Sequence, residues 1–169
     1  TSISHGPITL YFTTDEEIGK GVVHADLDKI GADFGYTLDS GNMGCFEYEN
    51  FSANGLVLKV KGVSAHPGYA KGKMENAIKI LSEILAKLPK DYLCPEATTD
   101  MEGFVHPGKI EGGLESAQAH FIIRDFETAK LDEHTALIQG IADEVLESYP
   151  NSSVELVSKV QYRNMRDVV

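Results

Sequence analysis

The sequence predicts a mixed α/β chain: a four-stranded antiparallel sheet carrying two helices, preceded by part of a different α/β layer. Three observations carry that reading. From about residue 53 the hydrophobic pattern switches between strand and helix periods in the order β-α-β-β-α-β. Two apolar stripes at i, i+3, i+4, i+7 spacing mark the helices within that order. The preceding 50 or so residues hold short apolar runs ending in polar, Gly-containing loops, and these have no place in the six-element pattern.

Taken in order, Ile8-Thr9-Leu10-Tyr11-Phe12 is apolar and rich in β-branched and aromatic residues, a buried strand by composition. It runs into the polar loop Thr13 to Gly19. A short helical stretch follows over 22–30, then a second strand at Phe34–Leu38 ending in Asp39-Ser40-Gly41-Asn42, and a third at Cys45–Glu49. Leu56, Leu58 and Val60 then alternate with Val57, Lys59 and Lys61 as a half-buried strand. After the loop 62–68, the spacing of Ala77, Ile80, Leu81, Ile84, Leu85 and Leu88 predicts a helix over 73–88, stopped by Pro89. Glu75 with Lys79, and Glu83 with Lys87, are placed as i,i+4 pairs on its outer face. Residues 90–100 read as a polar linker, and strands are expected over 103–111 and 117–125. A second helix over 128–149 turns Leu131, Ile138, Ile141, Val145 and Tyr149 inward and ends at Pro150-Asn151. Val154, Leu156 and Val160 mark the last strand. This is the ferredoxin-like order, and order alone says nothing about function. The expected organisation is residues 1–52 as part of one α/β domain, 53–162 as a module inserted into it, and 163–169 as the return. His66-Pro67-Gly68 and His106-Pro107-Gly108 share a tripeptide in unlike surroundings, which is not a repeat.

Composition excludes several classes. The formal net charge of -11 repels phosphate backbones and anionic lipid surfaces, so neither nucleic acid nor membrane is an expected partner. Cys45 and Cys94 lie in no ligand spacing, which rules out a zinc ribbon. Two lone thiols fit a reducing compartment, and a cytoplasmic protein is expected. No apolar run reaches the length of a membrane span and no signal peptide is visible. The opening Thr-Ser-Ile-Ser-His-Gly, with an apolar run directly behind it, and the uncapped close at Val169 both look cut from a longer polypeptide.

Four segments could carry chemistry. Asp15-Glu16-Glu17 crowds three carboxylates at a strand end; a carboxylate there can hold a metal while its neighbour takes a proton from water. The competing reading is an acidic helix start favoured by the helix dipole. Asp39 also follows an apolar strand. If strands 8–12 and 34–38 share a parallel sheet, Glu16, Glu17 and Asp39 meet at its carboxyl edge; otherwise Asp39 makes an ordinary Asx turn. His66, in the stiff loop Ser64-Ala65-His66-Pro67-Gly68, could donate a hydrogen bond to a substrate oxygen as charge develops on it, or be a loop His with no role. Arg124, at the end of Ile122-Ile123-Arg124, could clamp a carboxylate with two hydrogen bonds, or pair with Asp125 or another acid. No GxSxG elbow, P-loop or GxGxxG is present.

Taken together and in this order, Phe12-Thr-Thr-Asp-Glu-Glu-Ile-Gly19, Asp39-Ser40-Gly41, His66-Pro67-Gly68-Tyr69-Ala70-Lys71-Gly72 and Ile123-Arg124-Asp125-Phe126 resemble the zinc-dependent M20 exopeptidases, and within them the peptidase T branch of tripeptide aminopeptidases. The resemblance extends to Glu47-Tyr48-Glu49-Asn50-Phe51 and Tyr162-Arg163-Asn164-Met165, and so over essentially the whole chain. It implies removal of the N-terminal residue from short peptides. It also implies Glu16 as general base, Glu17 and Asp39 each as a ligand of one of two zinc ions, and His66 as the lid histidine that polarises the scissile carbonyl. That histidine can reach a neighbouring subunit's site in dimeric relatives. Arg124 then holds the substrate's C-terminal carboxylate, and 53–162 is a lid or dimerisation domain capable of forming a homodimer. No His-x-Asp lies upstream of Asp15-Glu16-Glu17, where the family carries its ligand motif. With one non-bridging carboxylate per metal, the chain alone is expected to bind zinc weakly and to be inactive, with 1–52 less ordered than 53–162. A different M20 activity, dipeptidase or acylamino-acid deacylase, and a standalone ferredoxin-like dimerisation module are the alternatives.

Overall fold

A computed structural model describes residues 3–39 and 41–168 of the chain. The chain divides into two compact units, one ending at Cys45 and one running from Phe46.

In the first unit the regular structure among the described residues is a 3-10 turn at Glu16–Ile18 and the one-turn helix α1 (Leu27–Ile30). Asp26 caps α1, its carboxylate accepting from the Lys29 amide at 3.1 Å, and Gly31, at φ 59°, closes it. The apolar runs 8–12, 34–38 and 45–49 form no strands, contrary to their composition. Ile8, Leu10, Phe12, Phe34 and Leu38 are all exposed. The reason is physical. An apolar run becomes a strand only when its amides and carbonyls find a ladder and its side chains a second layer, and none of these runs is paired among the described residues.

The second unit realises the expected order. Strands β1 (Ser52–Lys61), β2 (Phe104–Gly112), β3 (Ser116–Asp125) and β4 (Ser153–Tyr162) form one antiparallel sheet in the spatial order β2-β3-β1-β4. Helix α2 (Ala77–Ala86) connects β1 to β2, and α3 (Lys130–Leu146) connects β3 to β4. Period-2 alternation on β1 fixes the register. Leu56 stands opposite Phe121, Leu58 opposite Ala119 and Leu156, and Val60 opposite Ala117 and Val154. That face buries against Ile80, Leu81 and Ile84 of α2 and Leu131, Ile138, Ala142 and Val145 of α3 in a single core.

Helix α2 begins at the first residue of its apolar stripe, four residues later than the expected start at 73. Glu75 is still extended, exchanging backbone hydrogen bonds with Val63 at 2.8 and 3.0 Å, and Asn76 then caps the helix by accepting from Ile78 N at 2.9 Å. Gly62 permits this crossing, since a Cβ there would collide with the Glu75 carbonyl and stand 2.8 Å from the Ala77 amide. The Glu75 side chain is buried rather than paired with Lys79. It accepts from Asn151 N (3.1 Å), Asn151 Nδ2 (2.9 Å) and Ser152 Oγ, pinning the loop before α2 to the turn before β4. Glu83 likewise takes the Tyr149 hydroxyl at 2.6 Å, while Lys87 pairs with Glu144 of α3 at 2.7 Å. The helix-surface pairs are thus replaced by bonds between elements.

Two further polar clusters fix the end of the sheet where β1 starts and β3 and β4 finish. Asp125 is buried and accepts from the Glu127 amide at 2.9 Å, with His134 Nε2 at 2.9 Å and Lys130 at 4.0 Å. Asn164, 5% exposed, donates to the Phe126 carbonyl (3.0 Å) and to Glu49 (3.3 Å), and accepts from Asn50 N (3.1 Å) and Arg166 N (3.0 Å).

Burial pushes the Glu75 carboxyl up, but the Ser152 and Asn151 hydrogen bonds outweigh it and hold the group below its ordinary value of 4.5. A depressed carboxyl stabilises the fold above the unfolded-state pKa and loses that contribution as pH falls through the folded-state value. Thermal melts of the chain and of Glu75→Gln from pH 7 to pH 3 are therefore expected to show a deficit in the variant that is largest at neutral pH and shrinks in acid. A deficit independent of pH would count against the ionised Glu75 knot.

Candidate functional site

Glu16 and Glu17 open the 3-10 turn between Asp15, at φ 61°, and Gly19, at φ 69°; the Gly19 amide closes it on the Glu16 carbonyl at 2.7 Å. A left-handed backbone is open to Gly and tolerated by Asp. The sequence Asp-Glu-Glu-Ile-Gly supplies both in the right places. Consecutive side chains on a 3-10 turn diverge by roughly 120°, so the two exposed carboxylates point in different directions and can take different tasks. Asp39 is exposed in the same unit; Ser40 of the Asp39-Ser40-Gly41 motif lies outside the described residues. The parallel sheet that would bring Glu16, Glu17 and Asp39 to one edge is not formed. Among the described residues no group of three or more His, Cys, Asp or Glu gathers at metal-binding distance. Glu17 and Asp39 are hard oxygen donors of the right kind, but tight sites use three or four protein ligands. The residues of this chain do not by themselves fit a metal site.

His66 precedes a 3-10 turn at Pro67–Tyr69 and caps it. Its Nδ1 accepts from the Gly68 amide at 3.1 Å. The Tyr69 ring lies 5.7 Å from the imidazole, and the side chain is exposed. An Nδ1 that accepts leaves the neutral ring's proton on Nε2, so His66 presents an outward N–H donor whose tautomer is set by its own loop. Gly68 allows the approach, because a Cβ there would stand 3.3 Å from Nδ1.

Arg124 and Asp125 are neighbours on β3 and therefore project to opposite faces of the sheet. Asp125 turns inward to His134 and Lys130; Arg124 turns to the face that carries no helix. The ion pair between them does not exist. Arg124 forms no salt bridge or hydrogen bond among the described residues, and its Nε is buried without a partner. Phe104 and Tyr162 flank it, their ring centroids 5.9 and 6.0 Å from the guanidinium carbon. Gly68 was already legible in the stiff loop His66-Pro67-Gly68. Sequence reasoning missed the two aromatics beside Arg124; the signal for Phe104 and Tyr162 was cross-strand register, which single-strand periodicity does not provide.

Residues 48–150 match the family model of the peptidase dimerisation domain. The chain is 46% identical over 167 residues to a peptidase T of Listeria monocytogenes serotype 4a, covering 99% of this chain and 40% of that protein. It is 44% identical to a peptidase T of Parabacteroides distasonis, covering 41% of it. The chain thus spans about two-fifths of the length of these curated relatives. Among solved structures, the aminopeptidase PepT of Bacillus cereus superposes with a TM-score of 0.72 at 24% identity, over 90% of this chain and 41% of that one. A tripeptidase of Staphylococcus aureus gives 0.74 at 18%, with the same coverage. These two likenesses bear on the fold, a four-stranded antiparallel sheet with its helices. The match over residues 48–150 shows that the chain belongs to the peptidase dimerisation domain family of the M20 peptidases.

Proposed function

We propose that the polypeptide to which this chain belongs is a metal-dependent aminopeptidase that releases the N-terminal residue of tripeptides. The observation that carries the proposal is the identity with peptidase T along nearly the whole chain, with Glu16, Glu17, Asp39, His66 and Arg124 all in the motifs that the resemblance rests on. In this reading residues 1–52 are part of the catalytic domain, 53–162 are the lid, and 163–169 return to the catalytic domain. The dimerisation-domain match supports a homodimer formed through the lid. Free Cys45 and Cys94 support a cytoplasmic location, and no helix among the described residues is long and apolar enough to cross a membrane.

Glu16 takes a proton from the water that attacks the scissile carbonyl and passes it to the leaving amine. The Nε2–H of His66 donates to the carbonyl oxygen as negative charge builds there. Arg124 holds the C-terminal carboxylate of the peptide with two hydrogen bonds. Glu17 and Asp39 would each supply one carboxylate toward divalent ions whose remaining ligands are not found among the described residues, zinc by resemblance; oxygen and imidazole donors also accept cobalt or manganese.

Two measurements on the full-length protein test this. With zinc, cobalt or manganese supplied, Glu16→Gln is expected to lower kcat for tripeptides by about 10²- to 10⁴-fold without unfolding the protein; undiminished turnover removes Glu16 from the mechanism. His66→Ala is expected to lower kcat by roughly 10²- to 10³-fold with KM little changed. A rise in KM alone would make His66 a binding residue instead.

A further inference from the structure

On the face of the sheet without helices, the transverse row at the end where β1 starts spans all four strands. Tyr162 of β4 stands opposite Ala53 of β1, Ala53 opposite Arg124 of β3, and Arg124 opposite Phe104 of β2. Directly opposed residues lie about 5 Å apart on the same face, so the row places one cation among two aromatic rings and one methyl group. Ala53 is fully buried although it lies on this face, so the row's larger side chains close over it. Phe104 is braced from behind by Phe51, at 5.6 Å between ring centroids, and Phe51 by Phe126 at 4.3 Å. Beside Tyr162, the Arg163 guanidinium donates to the Tyr162 carbonyl (3.0 Å), the Ala53 carbonyl (3.1 Å) and Asn54 Oδ1 (2.9 Å), fixing the strand end at the bulge between Ala53 and Asn54.

We propose that Phe104 and Tyr162 are positioning residues that hold the Arg124 guanidinium for end-on recognition of the peptide's C-terminal carboxylate. The inference deepens the aminopeptidase reading and rests on it. A free arginine loses rotamer entropy when it grips a ligand. Here the ring faces take over the role that an ion pair would otherwise play, through cation–π attraction that leaves the N–H donors unused. The Nε is closed off from solvent and bonded to nothing. That leaves the two terminal nitrogens as the pair able to meet a carboxylate, and a guanidinium fork matches a carboxylate with two parallel hydrogen bonds. An acid at Phe104 or Tyr162 would have neutralised the guanidinium; two rings orient it and keep its charge available.

The test uses the full-length holoenzyme and two substrates, a tripeptide and the same tripeptide as its C-terminal amide. Tyr162 is 41% exposed, so Tyr162→Leu is the variant least able to disturb the core; Phe104→Leu and the double variant follow. Each leucine is expected to raise KM for the free acid about five- to tenfold with kcat within about twofold and KM for the amide unchanged. Tyr162→Phe, which keeps the ring, is expected to restore wild-type KM. Arg124→Lys is expected to remove most of the preference for the acid. If Arg124→Lys removes that preference while Tyr162→Leu leaves it intact, the positioning role is overturned and the role of Arg124 stands. If the leucine variants weaken acid and amide equally, the rings are merely structural and the proposal is overturned. If Arg124→Lys itself leaves the preference unchanged, the carboxylate reading fails and takes this inference with it.

Discussion

Asn164 is the residue on which the geometry of the module depends. The chain runs into β1 and out of β4 at the same end of the sheet, so its ingoing and outgoing segments must lie side by side without being strands themselves. Their amides and carbonyls are then half-buried with no ladder to satisfy them, a costly position for any backbone. The Asn164 side chain resolves this with all of its capacity. It accepts twice from the amides of Asn50 and Arg166 and donates twice, to Phe126 and Glu49. Its own amide goes to Ser52 Oγ at 2.8 Å, and Ser52 in turn meets Thr128 Oγ1 at 2.6 Å. Asn50 returns the bond by accepting from the Met165 amide at 2.7 Å. One amide side chain therefore joins the ingoing segment, the outgoing segment and the β3–α3 turn.

What this staple holds is the end of the sheet where Arg124 stands. Phe126, whose carbonyl it binds, lies two residues beyond Arg124, and Tyr162 lies two residues before Asn164. Asp125, between Arg124 and Phe126, is fastened on the opposite face by His134, Lys130 and the Glu127 amide. The strand end is thus locked from the helix side, and the strict alternation of a β-strand passes that rigidity to the guanidinium on the other face. The rigid placement of Arg124 is a consequence of bonds that Arg124 does not make.

The order of elements from β1 to β4 was legible because it is written in local periodicity. Leu56, Leu58, Val60, Ile80, Leu81, Ile84, Leu131, Ile138 and Val145 all stand in the core that the pattern assigned them. Three things were not legible, for one shared reason. The apolar runs at 8–12, 34–38 and 45–49 have strand composition, but whether a run becomes a strand depends on a partner, and partnership is not a local property. Glu75 looked like the start of a helix and is the end of an extended segment, because Val63, twelve residues earlier, pairs with it. An ion pair of Arg124 with Asp125 was one of two open readings and does not form, because adjacent positions on a strand face apart. Of the candidate site, the residue types at Glu16, Glu17, Asp39, His66 and Arg124 could be picked out from motifs; the aromatic neighbours of Arg124 and the tautomer of His66 needed coordinates.

The polar residues of this chain fall into two populations that satisfaction separates better than burial or charge. Glu75, Asp125 and Asn164 are buried and their bonding capacity is used by several elements at once. Such groups are costly to strip of a partner and have nothing left to offer a ligand. Glu16 and Glu17 stand exposed on a turn built from left-handed Asp15 and Gly19, His66 spends one ring nitrogen on its own loop and keeps the other outward, and the Arg124 side chain is flanked by rings with no hydrogen bond or ion pair among the described residues. A half-buried guanidinium without a counter-charge is a state the fold tolerates at a cost, since an acid at any flanking position would relieve it. The sequence carries 26 acidic residues against 15 basic ones, so the absence of a carboxylate beside Arg124 is not for want of acids in the chain. Among the described residues of so acidic a chain, the Arg124 guanidinium stands between two aromatic rings with no carboxylate paired to it, which is the state the proposed carboxylate grip requires.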